Sequence, residues 1–230
     1  MPRSTWRRPR HYPDPRIRAT LAGVKVFRSL TGAAVTGVLS WSALEYGLHR
    51  FLMHEMKGKG LASREHLKHH ADVTYFAPAS KKALSAAGTT AVAFPVATAV
   101  MGRRWATAYT TGLISMYYAY EIAHRRTHTH PPRNEFGRWM RRSHMHHHFG
   151  APMRNFGVTT NVWDRLLGTY DEPGVVTVPQ RMAPVWMTDA DGQVLPEYAD
   201  DYLVKAGRRR DRVQDTQDHD DAFANVAPAF

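Results

Sequence analysis

Ten histidines fall into four short clusters: His49 and His54 in HRFLMH, His66, His69 and His70 in HLKHH, His124 and His128 in HRRTH, and His144, His147 and His148 in HMHHH. Neutral imidazole is a ligand for iron, zinc, copper and nickel. On an α-helix, residues i and i+4 lie about 40° apart and i and i+3 about 60° apart, so both pairs share a face. His124 and His128 can therefore grip one ion. His66 and His144 each share a face with both later histidines of their cluster, whereas the adjacent pairs His69/His70 and His147/His148 diverge by about 100°, which favours different ions. The i, i+5 spacing of His49 and His54 is splayed on a continuous α-helix. Either the helix ends between them or each reaches a different ion. Ten imidazoles divide naturally between two ions, and an all-nitrogen shell calls for a bridging oxide, a hydroxide or a nearby carboxylate. Metal-bound histidine usually donates its other N–H to a carboxylate or carbonyl. Glu45, four residues before His49, and Glu121, three before His124, are candidate partners of this kind. Asp164 in NVWDRLLGTY is a third, and a plain interfacial role beside arginine is the competing reading for the glutamates. One HxxxH pair means little; four clusters together point to a metal site. His11, His130, His146 and His219 fall outside the repeated pattern, although a register through His146 competes with 144/147/148.

The elements that must position these residues are apolar. Stretch 30–48 (LTGAAVTGVLSWSALEYGL) carries one charge, Glu45; stretch 83–101 (ALSAAGTTAVAFPVATAVM) carries none; stretch 105–123 (WATAYTTGLISMYYAYEIA) carries Glu121 alone. Each is long enough to cross a hydrocarbon core, which takes about 20 residues of helix. Their Ala, Thr and Gly content, with a mean hydropathy of -0.47 for the chain, leaves buried helices of a soluble protein as the alternative. Read as spans, the second and third form a hairpin, so residues 49–82 and everything after 123 share one side, and all four clusters lie there. Lys57, Lys59, Arg64, Lys68, Lys81, Lys82, Arg125, Arg126, Arg141 and Arg142 mark that side as cytoplasmic. A single first span places the basic N-terminal arm outside, against the same rule; a re-entrant hairpin turning near Gly32 or Gly37 is the other solution.

The chain has 230 residues, a net charge of +11 and no cysteine. Disulfides, zinc–thiolate fingers and a cysteine nucleophile are excluded. The positive charge flanks apolar runs and no nucleic-acid motif is present, so anionic headgroups are the expected contact and nucleic acid is not. The expected layout is a basic arm over 1–16, a membrane domain over 17–172, a C-terminal extension over 173–204 and a charged, solvated tail over 205–230. A helix is expected through GRWMRRSHMHHH. Phe51, Met53, Phe149, Phe156 and Trp163 are candidates to line a substrate channel, with ordinary packing the more economical role.

Over residues 41–170 the chain resembles the fatty acid hydroxylase/sterol desaturase superfamily of membrane di-iron oxygenases. EYGLHRFLMH, HLKHH, HRRTH and HMHHH come in order, closed by NFGVTTNVWDRLLGTY. The EYGLHRFLMH box looks most like the fatty acid 2-hydroxylase branch, and carotenoid ring hydroxylases share the histidine plan. The resemblance implies an all-α fold of integral membrane helices in hairpins, with a cytosolic helical cap holding a dinuclear site. It makes ligands of His49, His54, His66, His69, His70, His124, His128, His144, His147 and His148, with no catalytic side chain beyond them. It further implies two iron ions (zinc can occupy the same site), O2 as cosubstrate and hydroxylation of a membrane lipid, most simply a fatty acyl chain. Fungal and animal members carry a fused haem-binding domain that this sequence lacks, which implies a separate ferredoxin- or cytochrome b5-like electron donor. Desaturation uses the same ligand plan. From other classes, a di-zinc hydrolase and a non-catalytic lipid-binding protein with a structural metal remain open; structural zinc is ordinarily satisfied by four ligands.

Overall fold

The computed structural model describes residues 15–206, with side chains from residue 29 onward. Helices dominate: α1 (Pro15–Gly47), a π-helical turn (Leu48–Glu55), α2 (Leu61–Ala71), α3 (Ala79–Met101), α4 (Arg103–Thr129), α5 (Glu135–Phe149) and the short α6 (Val162–Leu166). Two strands, β1 (Val176–Pro179) and β2 (Tyr202–Lys205), pair in parallel with Val176 opposite Tyr202. The all-α expectation thus holds for the body but not for the C-terminal extension. There Val-Thr-Val and Tyr-Leu-Val are short β-favouring runs, masked in the sequence by the surrounding Pro, Gly and Asp. Lys205 closes β2. Residues 1–14 of the basic arm, the rest of the tail, His11 and His219 lie outside the described residues.

Helix α1 continues unbroken through Gly32 and Gly37, so no re-entrant turn forms at either glycine. Gly37 serves close packing instead. A Cβ there would stand 2.0 Å from the Tyr109 carbonyl oxygen, and one at Gly112 would stand 2.0 Å from that of Ala34. Small residues let two helix backbones approach this closely. Further along, Trp41 packs on Tyr117 and Tyr120 with ring centroids 5.3 and 5.4 Å apart. Because Ala34 faces Gly112 and Trp41 faces Tyr120, α1 and α4 run in the same direction. Hydroxyls on α1 are satisfied within it: Thr36 donates to the Gly32 carbonyl at 2.9 Å and Ser40 to that of Thr36 at 2.8 Å.

Helix α3 runs the opposite way. Gly102, at φ 79°, joins α3 directly to α4; a glycine in the left-handed region is a common helix stop. Lys82 at the start of α3 then meets Glu121 near the end of α4, and the Tyr117 hydroxyl donates to the Lys82 carbonyl at 3.2 Å. Among the described residues α3 is the one helix long and apolar enough to cross a membrane. Val92, Val96 and Val100, at i, i+4 spacing, are 61–78% exposed along it. Helices α1 and α4, which the apolar stretches also mark as spans, fall short of that measure because Thr, Ser, Gly and Tyr dilute them.

One end of this three-helix layer carries the π-helical turn, α2 and α5. Pro131 and Pro132 come just after the last turn of α4, and Asn134 opens α5 by accepting the Gly137 N–H at 2.8 Å. The far face of α5 packs on the extension: Met145 shares a buried core with Val176, Val178, Trp186, Met187, Tyr198 and Tyr202. The basic residues of this end are largely spoken for. Lys81 pairs with Glu65 at 2.7 Å, Lys82 with Glu121, and Arg142 with Asp201 at 3.2 Å, while Arg141 is buried among carbonyls.

Candidate metal centre

All ten clustered histidines turn inward and gather into two groups of five. His49, His54, His66, His70 and His147 form one; His69, His124, His128, His144 and His148 form the other. Within each group the ligand atoms lie within 4.8 Å of one another. Neighbouring Nε2 atoms stand 2.9–3.1 Å apart: His49–His66, His66–His54, His54–His147 and His147–His70 in the first group, and His69–His128, His128–His144, His124–His144 and His148–His144 in the second. Two ligands at right angles around an ion with metal–nitrogen bonds of about 2.1 Å are about 3 Å apart, so the spacing fits a shared ion.

Protonation points the same way. His69 Nδ1 lies 2.8 Å from the Tyr75 carbonyl, His147 Nδ1 lies 2.7 Å from that of Arg154, and His49 Nδ1 contacts that of Phe156. A carbonyl only accepts, so each of these Nδ1 atoms carries the proton and each Nε2 presents a lone pair to the group. Burial drives the ring pKa values down, to about 4 for His49 and His69 and about 2 for His54, with the remaining seven also well below the usual value. Converging neutral imidazoles are the donor set a metal ion requires.

Helical geometry explains the partition. In α2 the i, i+4 pair His66/His70 enters the first group while His69 turns to the second. In α5 His144/His148 enter the second and His147 the first. Both adjacent pairs are split between the groups, as their divergence on the helix predicts. His124 and His128 of α4 stay together. His49 and His54 take neither expected course: the helix does not end between them, and both join the first group. The π-helical turn supplies the reason, since its i→i+5 hydrogen bonding brings residues five apart onto one face. His146 points away, toward Asp171 at 2.8 Å, and His130 caps α4 at the surface beside Thr129.

The three candidate carboxylates do not partner imidazoles. Glu121 pairs with Lys82. Glu45 accepts the N–H groups of Val158 at 2.6 Å and Thr159 at 2.9 Å, and contacts the Thr159 hydroxyl. Asp164 accepts the N–H groups of Phe156 at 2.9 Å and Gly157 at 2.8 Å and the Thr169 hydroxyl at 2.8 Å. These two buried carboxylates fix the loop whose Phe156 carbonyl meets His49, so they act one bond further out than their spacing in the sequence suggests. Asn155, at φ 53°, locks the same loop by exchanging hydrogen bonds with the Asp171 backbone. Its signal in the sequence was the Asn-Phe-Gly turn, since Asn tolerates positive φ.

A cavity of about 300 Å³ opens onto both groups through His66, His69 and His124. Trp41, Leu48, Leu52 and Met53 contribute apolar wall, and the Glu65–Lys81 and Glu121–Lys82 pairs lie along its polar side. Of the candidate channel residues only Met53 lines it. Phe156 is buried against Tyr46 and His49, Phe149 packs toward the extension, and Trp163 donates to Ser42 at 3.1 Å.

Helices joined around paired five-histidine groups beside an apolar cavity define the class of site: two clusters, each of which could hold a metal ion. Residues 34–169 match the fatty acid hydroxylase family, which is more than half of the 230 residues, and the chain belongs to that family. It is 29% identical over 147 residues to a dihydroceramide fatty acyl 2-hydroxylase of Arabidopsis thaliana, covering 60% of each chain. A ceramide very long chain fatty acid hydroxylase of Saccharomyces cerevisiae is 31% identical over 145 residues, covering 60% of this chain and 37% of the yeast protein. A solved structure of full-length Scs7p, in which only the hydroxylase domain is visible, superposes with a TM-score of 0.50 at 28% identity, covering 62% of this chain and 56% of that one. The match thus spans less than two thirds of the length of each of these relatives.

Proposed function

We propose that this protein is an O2-dependent hydroxylase of lipid acyl chains, with its metal centre at the cytoplasmic face of a membrane. The observation that carries this reading is the cavity: one apolar space of about 300 Å³ touches histidines of both groups. That volume sits at the lower end of the range for small-molecule pockets, about 300–1,000 Å³. His49, His54, His66, His70 and His147 would hold one ion, and His69, His124, His128, His144 and His148 the other. Iron is the metal of the family, and two iron ions there would supply O2 activation, given two electrons from a separate donor protein. The chain's own part is placement and exclusion. Trp41, Leu48, Leu52 and Met53 hold an acyl chain against His66, His69 and His124, and the buried walls keep bulk water from the reacting carbon. Phe156, Tyr75 and Arg154 carbonyls keep three rings in one tautomer. The names of the Arabidopsis and yeast relatives support an acyl chain carried on a ceramide-type lipid. Helices α1, α3 and α4 would lie in the bilayer, within a membrane domain over 17–172, extended by 173–204 and a charged tail from 205.

The test is anaerobic purification with iron and zinc counted per chain, then incubation with ceramide and with free fatty acid under defined O2. A product one oxygen heavier that requires O2 and bound metal supports the reading. Loss of two hydrogens would replace it with desaturation, and full turnover without oxygen would overturn both.

A further inference from the structure

The two histidine groups are not secured in the same way. In the first, His49 and His147 are both tied through Nδ1 to loop carbonyls. In the second only His69 is tied like this; the Nδ1 atoms of His128, His144 and His148 are buried without a partner, against that of His54 alone in the first. The rings of the second group must therefore take their positions from the backbone that carries them. His128 and His124 ride on the final turns of α4, where carbonyls run out of intrahelical donors.

For His128 and His130 the donors come from outside the helix, and the Arg126 carbonyl, which accepts the His130 N–H at 3.0 Å, gains a second one. The Trp186 indole N–H reaches the His128 carbonyl at 3.2 Å. Arg141 donates to the His130 carbonyl at 2.8 Å and to that of Arg126 at 3.1 Å, while a third bond to Gly137 at 2.9 Å anchors it in α5. The Arg141 guanidinium lies 5.8 Å from the centre of the Trp186 ring, and Tyr198 and Tyr202 wall that ring at 5.2 and 5.9 Å. Trp186 is only 7% exposed. It belongs to the segment after residue 169, beyond the stretch that matches the family.

We propose that the C-terminal extension is a working part of the metal centre, with Trp186 as a positioning residue for the second histidine group and Arg141 as its partner. Trp186 fixes the carbonyl of a metal-bearing residue, and so the angle at which His128 enters the group. The first group, tied to the 154–156 loop, does not depend on it. The inference rests on the two-centre reading of the proposed function.

Its test uses the full-length protein loaded with Zn2+ and stripped by a competing chelator, comparing wild type with Trp186→Phe, which keeps the ring and removes the N–H. Wild type should hold two ions per chain. In Trp186→Phe one of the two should leave about tenfold faster, in the range seen when outer hydrogen bonds of a metal site are removed, while the other leaves at the wild-type rate. Val178→Ala, in the same buried core but donating nothing to α4, controls for general loosening and should leave the two release rates in their wild-type ratio. Equal acceleration of both ions in Trp186→Phe, or unchanged release of both, would overturn the inference while leaving the two-centre reading intact. Fewer than two ions on wild type would overturn that reading and the inference with it.

Discussion

Each imidazole in the two groups has lost the option of carrying a second proton. Burial holds His49 and His69 near a pKa of about 4 and His54 near about 2, against an ordinary value of 6.5. An unfolded chain therefore binds more protons than the folded one once the pH drops below about 6.5. Stability of the metal-free protein should be level above that pH and fall as acidity increases toward about pH 4, by on the order of 1 kcal/mol per pH unit for each ring that stays neutral. Thermal melts across that range check the sign; a midpoint that rises on acidification would contradict it. His128→Ala should lower bound metal from two ions toward one per chain by elemental analysis, whereas His146→Ala, directed at Asp171, should leave metal content unchanged. At this scale the sequence was informative because helical spacing is a local property. The separation of His69 from His70 and of His147 from His148 came from the turn angle alone. At His49 and His54 the chain widens into a π-helical turn, which α-helical spacing does not anticipate.

The elements reveal what spacing could not. Glu45 and Asp164 stand near histidines in sequence, yet both spend their oxygens on the N–H groups of residues 156–159. Their partners lie up to 114 residues away, beyond any periodicity argument. Asp164→Asn replaces an acceptor with N–H groups facing N–H groups, and should cost about 2 kcal/mol, the range for a hydrogen bond to a buried charge. Metal at the first histidine group should weaken with it, because the His49 contact goes through Phe156. Glycine placement is the second case. Gly112→Ala would drive a methyl into the Ala34 carbonyl, 2.0 Å away, and should lower the melting midpoint by the equivalent of about 1–3 kcal/mol, as over-packed cores do. Gly32→Ala, with nothing within 4 Å, should be silent. Both glycines look alike in the sequence; only the partner helix separates them.

For the molecule as a whole, three long helices and a histidine-bearing end meet around a cavity lined by residues between Trp41 and His124, and the strand-containing extension packs behind α5. Ser85 lines that cavity from α3, away from the histidine groups. Ser85→Trp should fill it, reducing turnover of an acyl substrate by more than about tenfold, the effect of misplacing a bound group by an ångström or so. Bound metal should stay at the wild-type level, and a parallel loss of metal would show that the cavity and the centre are not separable. Helices α1 and α4 run one way and α3 the other, and the glycine at 102 where the chain reverses is visible in the sequence. The core shared by Met145, Trp186 and Tyr202 is not, since its strands are four residues each and pair across a long intervening loop.

The split histidine doublets have a consequence for how such a chain can change in length. Residues added in the connections after Glu55, after Ala71 or after Thr129 lengthen a link and leave the helical spacing of the rings unchanged. A single residue inserted between His66 and His69, or between His144 and His147, turns the downstream part of the helix by about 100°. Between His66 and His69 it would put His69 on the bearing His70 now holds and carry His70 past it, so the first group would exchange one ligand for another while the second would lose its single ligand from α2. The two helices that feed both groups are therefore the stretches of this chain where substitutions outside the histidines can accumulate but insertions and deletions cannot.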